Sequence, residues 1–74
     1  MYTIVGCSKF VNKSGKDMFH IYVVYEDNRL DYGKLACMDF VCFPNSVQGI
    51  ISDGAKCNVF YNKSGFVSTV QIVS

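Results

Sequence analysis

Residues 17–26 have the sequence DMFHIYVVYE, and this stretch decides the fold class. Apolar and aromatic side chains occupy both its odd and its even positions, and strand-forming residues dominate it. A helix would show an apolar stripe with the helical period, which the segment lacks. The pattern predicts a β-strand that is either covered on two sides or exposes one aromatic face for function.

Four other segments have the same strand-like composition. They are residues 2–11, 34–43, 55–61 and 66–73. The one stretch that could start a helix is PNSVQGIISDG at 44–54, where Gly49 limits any helix to about one turn. In this stretch we expect Ile50 and Ile51 to pack over one end of the fold. No linker or second domain is evident, so residues 1–74 are predicted to form a single all-β domain.

The tetrapeptide NKSG occurs twice, at residues 12–15 and 62–65, each time between two predicted strands. The asparagine of such a sequence can start a hairpin turn and bond to the backbone ahead of it. Lysine and serine then take the central positions of a type I turn, and glycine takes the left-handed position that closes it with a bulge. A duplicated unit would repeat the neighbouring strand patterns as well. The repeat is therefore interpreted as two uses of one turn.

Turns between strands one and two and between strands four and five fit a five-stranded antiparallel Greek-key barrel. The oligonucleotide/oligosaccharide-binding (OB) architecture has this layout. Its binding face consists of strands two and three, bordered by those two loops. We therefore predict an OB-like barrel with both NKSG turns beside one binding cleft. An SH3-like arrangement of the strands is the alternative.

Cysteine spacing argues against a metal centre or a disulfide framework. Cys7, Cys37, Cys42 and Cys57 include no CxxC pair, and the start MYTIV has no basic segment ahead of an apolar one. Reduced thiols in the cytosol are expected, with no metal or cofactor, and Cys37 and Cys57 are predicted to lie in the core. No apolar run is long enough for a transmembrane helix, so no membrane association is expected.

The net charge of +1 hides an uneven distribution. Residues 1–25 contain three lysines and one aspartate, residues 26–53 contain two basic and five acidic residues, and residues 54–74 contain two lysines and no acid. Both NKSG turns therefore lie in basic parts of the chain around an acidic middle. Lys13, Lys16 and Lys63 would concentrate positive charge at the binding cleft of an OB-like barrel.

Single-stranded nucleic acids bind through bases that stack on exposed aromatic side chains and phosphates that contact lysine or arginine. The second predicted strand offers Phe19 and Tyr22 for stacking. Phe66 directly follows the glycine of the second turn, a position poorly suited to burial. Most aromatic residues of so small a domain belong to its core, so only some candidates are expected to be exposed. Further candidates near these positions are Tyr25, Tyr32 and Tyr61.

Catalysis is not predicted. His20 is the single histidine and belongs to no recognisable nucleophile motif. Asp27 and Asp31 flank Arg29 in the polar loop DNRLDYG, where charge pairing in solvent explains them better than acid–base chemistry. The chain has no glycine-rich loop of the kind that holds phosphates, and no small-molecule substrate is evident.

The segments GKDMFHIYVVYEDNRL at 15–30 and SDGAKCNVFYNKSGFVSTVQIV at 52–73 resemble small OB-type single-stranded-DNA-binding proteins of phages and mobile elements of Gram-positive bacteria. They are more distantly similar to the helix-destabilising proteins of filamentous phages, which are dimeric five-stranded barrels. This resemblance implies that Gly15 and Lys16 belong to a DNA-contacting hairpin. It further implies that Lys13 supplies a second positive charge and that Phe19 stacks on bases.

Two functions remain open. The chain is either a module that binds single-stranded DNA or RNA along strands two and three and the two turns, or a barrel that binds a protein partner through a strand edge or an aromatic groove. A homodimer is also expected, because the apolar residues exceed what one small barrel can bury. The apolar residues opposite the predicted core face are Tyr22, Val24, Val41, Phe43, Val67 and Val73.

Overall fold

The computed structural model describes residues 1–73, which form strands, turns and one short 3-10 helix. The 3-10 helix spans Pro44–Ser46, inside the only segment whose sequence permits a helix. The prediction of an all-β fold is confirmed. The six strands are β1 (Tyr2–Val11), β2 (Asp17–Glu26), β3 (Leu35–Cys42), β4 (Val47–Gln48), β5 (Lys56–Tyr61) and β6 (Val67–Ile72).

All six strands belong to one mixed sheet in the order β3-β2-β1-β5-β6-β4. Neighbouring strands are antiparallel except β4, which pairs in parallel with β6. β3 and β6 approach each other without pairing, so the sheet is not closed. The structure therefore differs from the predicted five-stranded antiparallel barrel in its sixth strand, its parallel pair and its open seam. The sixth strand arises because Pro44, which has no N–H to donate, ends the pairing of β3, and the chain pairs again from Val47.

The core lies on the inner face of the sheet, which the odd-numbered residues of β2 help to form. Ile21 and Val23 are completely buried, together with Cys57 and Val70. Even-numbered residues of β2 point to the opposite face, where Tyr22 keeps 42% of its surface exposed. Of the two interpretations of DMFHIYVVYE, a strand with one exposed aromatic face therefore agrees with the structure.

The apolar residues that were predicted to lie at one end of the fold or opposite the core face divide between core and surface. Ile51 packs against the core from the segment after β4, whereas Ile50 is 84% exposed. The prediction that both pack over one end of the fold is therefore wrong for Ile50. Val67 also packs against the core, so it does not belong to an apolar surface. The predicted surface keeps four clearly exposed members, which are Tyr22, Val41, Phe43 and Val73.

Cys42 and Cys57 are the cysteines of the core. Burial raises the pKa of both thiols, so they stay uncharged near neutral pH and behave as small apolar groups. A core position is confirmed for Cys57 and wrong for Cys37, which is exposed because its place on β3 points away from the core. All four thiols are free, and residues 1–73 contain no cluster of three or more side chains that could hold a metal ion. The part of the chain that the structure describes also contains no helix long and apolar enough to cross a membrane.

The two NKSG turns have matching hydrogen bonds. The N–H of Gly15 donates to the carbonyl of Asn12 at 3.0 Å, and the N–H of Gly65 donates to the carbonyl of Asn62 at 3.1 Å. In each turn the asparagine Oδ1 also accepts the N–H of the serine and the N–H of the residue after the glycine. Both glycines have positive φ angles, of 80° and 84°. The predicted turn, started by asparagine and closed by a left-handed glycine, is confirmed.

Gly65→Ala is expected to lower the free energy of unfolding by about 1 kcal/mol, because a Cβ atom is strained at this positive φ. Asn62→Ala removes the acceptor of two backbone N–H groups and is expected to cost a similar amount. Lys63→Ala in the same turn is the control, with a change within about 0.5 kcal/mol because its side chain is exposed. Urea unfolding of the three variants measures these values. A loss for Lys63→Ala equal to that for Gly65→Ala would contradict the assignment.

Candidate nucleic-acid interface

Side chains of β1, β2 and β3 that point away from the core form one continuous surface. Directly paired residues of neighbouring strands share a face, so the register of the sheet fixes which residues belong to it. β2 lies in the middle, with β1 on one side and β3 on the other. We call this surface the outer face. It consists of Ser8, Phe10, His20, Tyr22, Asp39 and Val41, whereas Met18, which pairs with Phe10, is buried.

The ring of Tyr22 covers Gly6, its partner on β1. A Cβ atom at position 6 would lie 3.5 Å from Cδ2 of Tyr22, in ordinary van der Waals contact. His20 stacks on the same ring, with a centroid distance of 4.4 Å and an interplanar angle of 29°. Phe10 approaches His20 edge-on at 6.5 Å. Three rings therefore follow one another across the outer face, and Phe10 and Tyr22 are both exposed.

Hydrogen bonds fix the imidazole ring of His20. Its Nε2 atom lies 2.7 Å from Oδ2 of Asp39, and it donates because a carboxylate only accepts. The other ring nitrogen, Nδ1, is then free to accept the hydroxyl proton of Tyr22 at 3.2 Å. The carboxylate of Asp39 keeps its negative charge when a neutral imidazole donates to it, so the outer face carries one negative charge beside its aromatic rings. The outer face presents aromatic surface more than negative charge.

A groove beside the outer face connects the bases of the two hairpins, and we call it the hairpin groove. Its walls are formed by residues 16–17 after the first turn, residues 43–46 and 48 after β3, and residues 68–69 at the start of β6. It is open to solvent and has a volume of about 640 Å³. Lys16 contributes a positive charge to it, Asp17 contributes a negative charge, and Phe43 contributes an exposed ring. The structure therefore brings the neighbourhoods of both NKSG turns to one concave surface.

The predicted binding residues are distributed over the hairpin tips, the hairpin groove and the outer face. Lys13 and Lys63 are exposed at the two hairpin tips, and Phe66 is 71% exposed directly after the second turn. Lys16 lines the hairpin groove, and Tyr22 lies at the centre of the outer face. Lysines and aromatic rings are thus arranged from the tips of the hairpins, through the groove, to the middle of the sheet.

Phe19 lies apart from the other predicted residues. Its odd position turns the ring to the inner face, where it packs against the core and lies 5.9 Å from the Nζ atom of Lys9. Sequence reasoning missed Phe10, His20 and Phe43 as members of the surface. Phe10 and His20 could have been found from the first turn, because a turn at 12–15 fixes the pairing of the strands on either side. Phe43 was predicted to lie outside the core, but its place beside Lys16 could not be predicted, because it depends on how the chain leaves β3.

Three of the six acidic residues, Glu26, Asp27 and Asp31, lie at the far end of β2. The loop at 27–33 follows Glu26, and the ten residues of β2 separate it from Lys16 by about 30 Å. Within this loop, Arg29 donates to both carboxylate oxygens of Asp27 at 3.0 Å. The hydrogen bonds from Arg29 hold the pKa of Asp27 below its usual value, so this carboxylate is charged and paired at neutral pH. These three acidic residues are therefore distant from the hairpin groove, whose own carboxylate is that of Asp17.

Comparison with known proteins identifies no relative of this chain: no protein-family model matches it, and neither a curated protein nor a solved structure does. The fold and the surface alone define its class. It is a small all-β protein with an exposed aromatic face next to lysine-bearing hairpins.

Proposed function

We propose that this protein is a non-catalytic, OB-like module that binds single-stranded nucleic acid. Of the two nucleic acids, we propose single-stranded DNA rather than RNA as its ligand. The observation that carries the proposal is the row of rings on the outer face, from Phe10 through His20 to Tyr22, beside the lysine-bearing hairpins. Bases stack on such rings, while lysines contact the phosphates between them. Residues 15–30 and 52–73 resemble small OB-type single-stranded-DNA-binding proteins encoded by phages and mobile elements. This resemblance supports the proposal, with the cytosol as the place where the protein acts.

The strand order supports an OB-like arrangement. β1 pairs with both β2 and β5, β5 and β6 form a hairpin, and the segment after β3 reaches β6 in parallel. If β3 and β4 are taken as one bent strand, the five strands of an OB barrel result, with a seam between β3 and β6. The binding face of that architecture corresponds here to the outer face, and its two bordering loops correspond to the NKSG turns.

The charge distribution sets a direction for the bound strand. A polyanion is attracted to the end of the molecule where Lys13 and Lys16 lie, and it is repelled by the acidic loop at the other end of β2. A nucleic acid strand would therefore enter at the hairpin groove and cross the outer face toward Tyr22. Two or three bases would fill this path, at about one base for each exposed ring.

A second candidate function is the binding of a protein partner. The observation in its favour is β3, which has β2 on one side and no paired strand on the other. An extended peptide could add to such an edge. Salt distinguishes the two candidates, because phosphate contacts release counterions and backbone pairing does not.

Binding to oligo-dT, measured by fluorescence anisotropy over a series of salt concentrations, tests the proposed function. We expect affinity to fall steeply with salt. Lys13→Ala and Lys63→Ala are each expected to lower the slope of log K against log salt by about one unit or somewhat less, for all base sequences alike. Lys34→Ala, an exposed lysine beside the acidic loop, is the matched control and should leave the slope unchanged. Absence of binding at low salt would overturn the nucleic-acid proposal.

A further inference from the structure

The free edge of β3 has a complete row of unpaired backbone groups. The N–H of Asp27 donates to the carbonyl of Lys34 at 3.0 Å, which makes these two residues a hydrogen-bonded pair of the β2–β3 ladder. Hydrogen bonding alternates along an antiparallel pair, so the even-numbered residues of β3 face β2. The odd-numbered residues direct their N–H and C=O groups away from the sheet. Among residues 1–73 these groups have no backbone partner, and they belong to Leu35, Cys37, Asp39 and Val41.

This edge lacks the sequence features that usually protect a sheet edge, and β6 approaches it without forming hydrogen bonds to it. β3 contains no proline, lysine or arginine, and its register with β2 is regular over all eight residues, without a bulge. Its one charged side chain, Asp39, is held by His20. The edge at the other end of the sheet differs, because β4 is only two residues long. An unprotected edge of this length is a site for strand addition.

We propose that the β3 edge pairs with the β3 edge of a second copy of this chain, antiparallel around a two-fold axis at Met38. In this register Leu35 pairs with the partner's Val41, and Cys37 pairs with the partner's Asp39. All four outward-pointing residues of each copy then find a partner, and no charge meets a like charge. The edge is self-complementary, which a second copy requires and an unrelated peptide does not.

Neighbouring registers fit less well. A shift of two residues in one direction places Asp39 opposite the partner's Asp39, which is repulsive. A shift in the other direction places Val41 opposite the partner's Gly33, beyond the end of the strand. The exposed apolar surfaces of Leu35 and Val41, 61% and 46% exposed, are covered together only in the register centred on Met38.

The dimer would place two outer faces side by side in one continuous sheet. Paired residues share a face, so the Tyr22 ring of each copy lies on the same side of the doubled sheet. The NKSG hairpins of the two copies then lie at opposite ends of the doubled sheet, because the two β3 strands are antiparallel. The pairing itself rests on the β3 edge alone; only this consequence for binding rests on the proposed function.

Sedimentation equilibrium without nucleic acid tests the pairing. We expect the native chain to be a dimer and the L35K/V41K variant, which opposes lysine to lysine at both ends of the interface, to dissociate with a dimer Kd about tenfold higher or more. The L35K/V41E variant opposes lysine to glutamate in the same register, so it should restore most of the dimer. Both positions are exposed, and circular dichroism checks that each variant folds.

Each outcome decides the proposal. A monomeric native chain, including one that binds an extended peptide at β3, overturns it. A dimer that L35K/V41K leaves intact places the interface elsewhere, and failure of L35K/V41E to recover the dimer rejects the register. Binding to oligo-dT is read separately: a dimer that binds no oligonucleotide retains the β3 pairing and rejects only the proposed function.

Discussion

Replacing Gly49 with alanine is expected to lower the free energy of unfolding by about 3 kcal/mol or more. The φ angle of Gly49 is 115°, a conformation that side-chain-bearing residues rarely adopt. An added Cβ atom would also lie 2.7 Å from Cβ of Ile72 and 3.1 Å from its Cγ1. Since Cβ of Ile72 is fixed to the backbone of β6, relief requires β4 and β6 to separate. For a domain this small, such a loss is a large part of the total stability.

Gly54→Ala is the matched control for this effect. Gly54 also has a positive φ angle, of 82°, but an added Cβ atom there would have no neighbour within 4 Å. Its substitution should therefore cost only the backbone strain, about 1 kcal/mol. Denaturant unfolding of both variants separates the cost of backbone strain from the cost of the steric clash with Ile72. Equal losses at the two positions would show that β4 and β6 are not held together as the structure has them.

Replacing Tyr22 with alanine is expected to weaken binding to oligo-dT by about 1–3 kcal/mol, or about 5- to 150-fold. The ring of Tyr22 is the exposed end of the row on the outer face and also orders His20 by stacking and hydrogen bonding. Because no charge is removed, the salt dependence of binding should hardly change. Phe66→Ala is expected to cost affinity in the same range if the second hairpin contacts a base.

Tyr32 provides a control for the loss of an exposed ring. It is 91% exposed, but it lies in the acidic loop at the far end of β2. Tyr32→Ala should therefore leave the affinity for oligo-dT unchanged, as measured by the same anisotropy titration. Equal effects of Tyr22→Ala and Tyr32→Ala would mean that the outer face is not the binding surface.

Local chemistry made much of this fold predictable. Strands β1, β2, β3, β5 and β6 follow from runs of β-branched and aromatic residues, whose preference for extended backbone acts over neighbouring residues only. Both NKSG turns follow from the same kind of information, since Asn62 bonds to the backbone two and four residues ahead and Gly65 alone tolerates its φ angle without strain. The exposure of Phe66 also followed from its place after that glycine.

The exposure of the lysines in the candidate site could be predicted from the sequence. The exposure of its aromatic rings could be predicted only in part. Lys13, Lys16 and Lys63 sit in or next to turns, where long charged side chains remain in solvent whatever the rest of the chain does. A ring on a strand is different, because both faces of β2 are apolar enough to be the core. Phe19 and Tyr22 are equivalent by composition, and only the register with β1 and β3 turned Phe19 inward and Tyr22 outward.

The sequence by itself determined five of the six strands, the two turns and the separation of basic hairpins from an acidic loop, because these depend on residues close together in the chain. Tertiary structure decided which face of β2 is exposed, how Phe43 joins Lys16 in one groove, and that the chain after Pro44 pairs in parallel with β6. These features depend on contacts between residues far apart in sequence. The first turn fixes the register of β1 with β2, but which face of the paired strands is buried depends on packing against the rest of the chain.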